Sequence, residues 1–213
     1  MDRTAIIVLA IFGIAVVIIL ILSLRQTAQG KAAMEQFAIG HGWRFLGRDQ
    51  SQLKPILEQL RPDWSWNAYD IVSVQGPPAS VYLFSYSSSL RAWRFYEYGF
   101  GCLAENPGGR SEEPVIIYRR VPLVDKTLSD RVEVGGPEFR REYTVVCRRL
   151  DVASMVVNNQ AQKILLEHAS SPQWFLEVKI VGQRVLVTTK WAQKPEEWEY
   201  LIAMTTRLRA AAP

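Results

Sequence analysis

Residues 5–24 read AIIVLAIFGIAVVIILILSL, without a charge and with Ser23 as the one polar side chain. Twenty helical residues at about 1.5 Å each reach roughly 30 Å, the hydrocarbon thickness of a bilayer. Apolar side chains occupy every face, which a soluble amphipathic helix does not tolerate. A cleaved secretory signal has a shorter apolar core, about 7–15 residues, closed by a small-residue site. No Ala-x-Ala site closes this run. A buried core helix is the third reading, but charges flank the run on both sides and it starts close to Met1. The stretch therefore predicts an uncleaved single-pass anchor within residues 1–24.

Arg3 precedes the span, while Arg25 and Lys31 follow it, with Arg44 at the edge of the counting window. The positive-inside rule counts Lys and Arg. It leans toward a cytoplasmic C-terminal domain at the cell membrane.

Apolar residues make up 48% of the chain and charged residues 22%, a balance that supports a packed domain rather than a disordered tail. Residues 25–42 read as a juxtamembrane helical stalk with a thin stripe at Ala33, Phe37 and Ala38, ended by Gly40 and Gly42. Residues 43–213 read as one α+β domain. Within it, 43–120 predicts an aromatic β meander with one helix. Trp43–Leu46 is a short strand. Leu53, Ile56, Leu57 and Leu60 mark the helix at helical spacing, with Asp49 or Ser51 as its cap and Pro62 as its stop. Strands are expected over 69–75, 80–87, 92–103 and 114–118, separated by Gly76-Pro77-Pro78 and Asn106-Pro107-Gly108-Gly109. Residues 121–136 predict loop mixed with short strand.

Residues 138–210 predict strand, helix, strand, strand, helix. The first strand is expected over 140–148, and Asp151 is the expected cap of the next helix. Asn158-Asn159 interrupts that helix, and Gln160–His168 follows. Trp174–Ile180 and Gln183–Thr189 flank Val181-Gly182 as a hairpin. The last helix is the most fully specified element. Pro195 suits its first turn, Glu196 and Glu197 its positive end, and Arg207 and Arg209 its negative end. Trp198, Leu201, Ile202, Thr205 and Leu208 form the stripe that packs on the sheet. The fold class is α+β: an N-terminal transmembrane helix, then a mostly antiparallel sheet with packed helices.

Chemistry is sparsely marked. The chain has no nucleophile elbow, no His-Glu-x-x-His and no phosphate-cradling Gly-x-x-x-x-Gly-Lys-Ser/Thr. Gly99-Phe100-Gly101-Cys102 opens like a dinucleotide fingerprint, but the run lies inside an aromatic strand rather than at a strand-to-helix turn. Cys102 and Cys147 are open to three readings: small buried hydrophobes, a disulfide, or a nucleophile beside His41 or His168. Two Cys and two His scattered along the chain offer no close ligand pair for zinc. No cofactor, metal or catalytic residue is expected.

The candidate interaction surface is Trp64, Trp66, Arg119, Arg120, Arg140 and Arg141. Trp64-Ser65-Trp66 reads as an exposed aromatic loop that could grip a partner or dip into the membrane interface, or as sheet core. The Arg pairs, with Arg148-Arg149, read as solvent-facing strand positions or as contacts for anionic lipid. After residue 24 the chain carries 24 basic and 20 acidic residues with no long run of one sign. No nucleic-acid partner is expected.

These residues also resemble a family. Gly42-Trp43 ends the stalk. Glu138-Phe139-Arg140-Arg141-Glu142-Tyr143-Thr144-Val145 follows the meander, then Asp151-Val152-Ala153, Trp174-Phe175-Leu176 and Arg184-Val185-Leu186-Val187. The order is similar to that of a family of uncharacterised bacterial, actinobacterial-type, single-span membrane-anchored proteins. That resemblance carries no activity. The expected function is a non-catalytic interaction or scaffold module with an unknown protein partner, held to the bilayer by residues 5–24. A small-ligand binder or enzyme with an unrecognised site, or a sensor of anionic lipid, is the alternative.

Overall fold

The computed structural model describes residue 12 and residues 29–62, 64–75, 80–90, 96–105, 113–120, 130–169, 176–190 and 194–212. Apart from Phe12, which is helical and exposed, the expected anchor lies outside the described residues. Among the described residues no helix is long and apolar enough to cross a membrane.

The fold is α+β, built on one nine-stranded sheet. The strands are β1 (Arg44–Gly47), β2 (Trp64–Gln75), β3 (Ser80–Leu90), β4 (Tyr96–Glu105), β5 (Val115–Arg119), β6 (Arg131–Val132), β7 (Tyr143–Val146), β8 (Leu176–Val181) and β9 (Arg184–Thr189). Their order across the sheet is β1-β2-β3-β4-β9-β8-β5-β7-β6. Every neighbouring pair is antiparallel. The aromatic meander therefore holds for β1 to β4 and then breaks. β5 leaves it and pairs with β7 and β8, while the β8–β9 hairpin, turning at Gly182 with φ 55°, fills the place beside β4. Alternation sets which face a strand shows, but not which strand lies beside it.

The helices are α1 (29–40), α2 (Leu53–Leu60), α3 (Pro137–Glu142), α4 (Leu150–Val156), α5 (Asn159–Ala169) and α6 (Pro195–Ala211). α1, α4, α5 and α6 contribute to the larger core with one sheet face. α1 supplies Met34, Phe37 and Ala38, all buried, so this helix is packed into the domain. α6 supplies Trp198, Leu201, Met204 and Leu208. Asn158 joins two helices: its Oδ1 accepts from Ala161 N at 3.0 Å, and its Nδ2 donates to Ala211 O at 2.7 Å. The other sheet face carries a smaller core in which Leu53, Leu57 and Leu60 of α2 meet Trp66, Tyr82, Phe84, Tyr86 and Leu186.

Gly99 and Gly101 explain how aromatic β3 fits beside β4. A Cβ on Gly101 would lie 2.5 Å from Phe84 Cζ, and one on Gly99 would lie 2.2 Å from the Thr189 carbonyl oxygen. Gly101 leaves the space the Phe84 ring occupies, and Gly99 lets the Thr189 carbonyl of β9 approach; neither builds a phosphate loop.

Local expectations changed at several points. Asp49 and Ser51 do not cap α2; Asp49 instead accepts hydrogen bonds from Ser51 N and Oγ, and Gln52 is the residue before the helix. Asp151 lies inside α4, paired with Arg149. Residues 137–142 form α3, so Arg140 and Arg141 are helical.

Candidate functional site

A hollow of about 370 Å³ opens at the β6 edge of the sheet, lined by Arg120, Arg131, Arg140 and Arg141. Glu133 is the one acidic residue in its lining among the described residues. Among the described residues, four arginines against one glutamate give that lining a formal charge of +3. Val132, Val134, Tyr143 and Val145 add apolar surface.

Local sequence explains the arrangement. Gly136 N donates to Gln162 Oε1 at 2.8 Å, which pins the start of α3 to α5. Pro137 suits the first helical position. Phe139 turns inward, fully buried, and stacks on Tyr143 at 5.2 Å. With that side chain fixed, the next two residues, Arg140 and Arg141, point to solvent. Arg120 follows β5. Its backbone N–H donates to Glu142 O at 2.7 Å, and its Nη1 donates to Arg140 O at 3.1 Å. Arg131 enters on β6, opposite Val146. Arg140 Nη1 reaches Glu133 Oε2 at 3.4 Å across exposed surface, a contact of small energetic weight.

Three of the six sequence candidates thus converge: Arg120, Arg140 and Arg141. Arg119 turns away, and its Nη2 donates to Ala169 O at 3.2 Å at the end of α5. Trp64 and Trp66 lie elsewhere, and in β2 rather than in a loop. Trp66 is 2% exposed and packs 5.2 Å from the Tyr86 ring. Trp64 is half-buried, with the Arg61 guanidinium 4.3 Å above its ring. Arg131 was missed, although Arg131-Val132-Glu133-Val134 alternates as a strand should.

A second charged cluster lies on the α2 face. Arg61 stands at the end of α2, with Nη2 3.3 Å from Glu177 Oε2 and Nη1 3.9 Å from Glu97 Oε2. Glu177 is 7% exposed. Burial raises its carboxyl pKa, Arg61 opposes that rise, and Glu97 adds to it. Burial and the glutamates push the neighbouring Tyr118 up to about 12 despite Arg61. The sequence concealed this cluster because Glu177 and Lys179 alternate with apolar residues, the usual mark of a solvent-facing strand row.

The nucleophile and metal candidates have other settings. Cys102 and Cys147 are both buried free thiols. Burial pushes Cys102 up to about 12, and Cys147 Sγ donates to Arg149 O at 3.2 Å. His41 shares hydrogen bonds with Phe37 O at 2.9 Å and Glu199 Oε1 at 3.1 Å, tying the end of α1 to α6. His168 is buried, 3.1 Å from Tyr200 Oη, and burial followed by Arg119 lowers it to about 4. Among the described residues no group of three His, Cys, Asp or Glu is placed to hold a metal ion.

The fold has a solved counterpart. The chain is similar to the crystal structure of the mycobacterial trehalose monomycolate transport factor A, TtfA, with a TM-score of 0.57 and 14% identity, over 86% of this chain and 96% of that one. No protein-family model and no curated protein matches the chain.

Proposed function

We propose that this chain is a single-pass, membrane-anchored, non-catalytic interaction module. Its α+β domain stands at the cytoplasmic face, and its partner docks at the arginine groove. The observation that carries the reading is that Arg120, Arg131, Arg140 and Arg141 line one open hollow, with Glu133 as the single carboxylate among its described lining residues. A one-sign surface of this kind steers and orients a partner of opposite charge. Residues 5–24 supply the anchor, and Arg25 and Lys31 favour the inner face. The non-catalytic part rests on the described His and Cys side chains. His41 and His168 are engaged in packing contacts, and the buried Cys102 thiol is held far from its thiolate. The likeness to a transport factor supports an accessory role in a transport process.

The test is co-purification of the tagged full chain after mild detergent extraction. Arg131 and Arg141 are exposed. Surface changes of that kind usually shift stability within about 0.5 kcal/mol. The double variant R131E/R141E should keep its thermal melt and lose the partner. Equal recovery of a defined partner by wild type and variant would remove the groove from the proposal. A wild-type chain that always purifies alone would remove the interaction module. Paired C-terminal fusions test the side. A reporter fluorescent only in the cytoplasm should light up, and a phosphatase active only outside should stay silent.

A further inference from the structure

We infer that the arginine groove is a binding site for a phosphate-bearing group; the inference deepens the reading of the groove as a contact surface and rests on it. Guanidinium is planar and offers paired N–H donors that match two phosphate oxygens at once. Here the four arginines that line the hollow come from three separate parts of the chain: the end of β5, the edge strand β6, and α3. Such convergence differs from a row of arginines along one strand, which would spread its charge outward.

The donors are unequally committed. Arg120 is held in place by its bond to the Arg140 carbonyl, so little of its freedom remains to be lost on binding. Arg140 shares Glu133 at 3.4 Å. Arg131 and Arg141 make no ion pair or side-chain hydrogen bond among the described residues, and both are exposed. They are the two donors ready to close on an incoming anion.

Size and surroundings narrow the ligand. A hollow of about 370 Å³ exceeds what a bare phosphate fills, and Val132 and Tyr143 in its lining give apolar contact beside the charge. A phosphate carrying a glycerol or similar small organic group satisfies both features. The same chemistry is found in a lipid headgroup and in a soluble phosphate ester. A membrane anchor on the same chain would raise the effective concentration of the lipid form.

The experiment uses the full chain in nanodiscs of phosphatidylcholine and reads binding by calorimetry. The probes are short-chain phosphatidylglycerol added as monomer, glycerol phosphate, inorganic phosphate and a hexaglutamate peptide. At least one phosphate ester should bind more tightly than hexaglutamate, and its affinity should fall as salt is raised. R131E/R141E should weaken that binding by about tenfold or more, and R131K/R141K by several-fold, because lysine keeps the charge but not the fork. Lipid tighter than glycerol phosphate assigns the site to a headgroup; equal affinity assigns it to a soluble ester. No heat with any phosphate probe, hexaglutamate binding as tightly as the best phosphate, or undiminished binding by R131K/R141K would each overturn the inference. If phosphate fails while R131E/R141E still loses its protein partner, the interaction module stands without a phosphate site. If both measurements fail, the groove has no role in either.

Discussion

Arg61 Nη2 lies 3.3 Å from Glu177 Oε2, and this contact joins the end of α2 to the middle of the sheet. Both side chains are nearly buried. Removing one member of a buried pair costs far more than the pair contributes, because the other charge is left without compensation. Arg61→Met should therefore destabilise the domain by about 3–5 kcal/mol. Arg61→Met with Glu177→Gln should recover part of that loss. Chemical denaturation of the full chain in detergent, followed by tryptophan fluorescence, measures both. Simple additivity of the two single changes would show that the pair is not coupled.

Two glycines of β4 should respond differently to the same substitution. Gly101→Ala puts a methyl group 2.5 Å from the far end of the Phe84 ring. Overpacking of this kind costs about 1–3 kcal/mol, and adding Phe84→Leu should return part of it. Gly99→Ala meets the Thr189 carbonyl oxygen at 2.2 Å, which is backbone and has no smaller substitute. Shortening Tyr86 should not rescue that variant. Melting temperatures of the single and double variants decide the matter.

Acid should weaken the fold through His168. Burial, then Arg119, lowers its imidazole from 6.5 to about 4. Between those values the unfolded chain takes up a proton that the folded chain refuses, so stability falls as pH falls. His168's contribution is complete above 6.5 and is lost on the way down toward about 4. Glu177 works in the opposite sense, since its raised carboxyl pKa favours the folded state on the acid side. The comparison must therefore be made between variants. Replacing His168 with glutamine should flatten the acid side of a stability–pH curve relative to wild type. Superimposable slopes would mean that His168 titrates normally in the fold.

The two thiols give a further check. Cys102 is fully buried and its thiol is raised to about 12; Cys147 is also buried, and its thiol is raised as well. A polar maleimide should label both only after unfolding, with no reductant needed. Slow or blocked labelling of unfolded, unreduced protein would instead indicate a disulfide.

The hydrophobic pattern disclosed most individual elements and little of their assembly. α6 was legible because Pro195, its acidic first turn and its apolar stripe all specify one helix. The β8–β9 hairpin was legible from two alternating runs around Gly182. The departure of β5 from the meander was not legible, since strand order depends on long-range pairing. Residues 140–142 looked like the start of a strand because Tyr143, Val145 and Cys147 extend an alternation backward. Pro137 after two glycines, with Phe139 and Tyr143 one helical turn apart, was the overlooked helix signal. That short helix turns two adjacent arginines toward the groove. The groove was half visible in the Arg pairs, but nothing local distinguished Arg120, which enters it, from Arg119, which ties down α5.

The most direct measurement is site-specific photocrosslinking in cells, with a photoreactive residue at position 141 of the full chain and, separately, at the exposed position 54 on α2. The expected result is one defined adduct from position 141 that disappears when Arg131→Glu is added, and no such adduct from position 54. A defined adduct from position 54 with none from 141 would place the contact surface on the opposite side of the sheet and contradict the groove as the docking site.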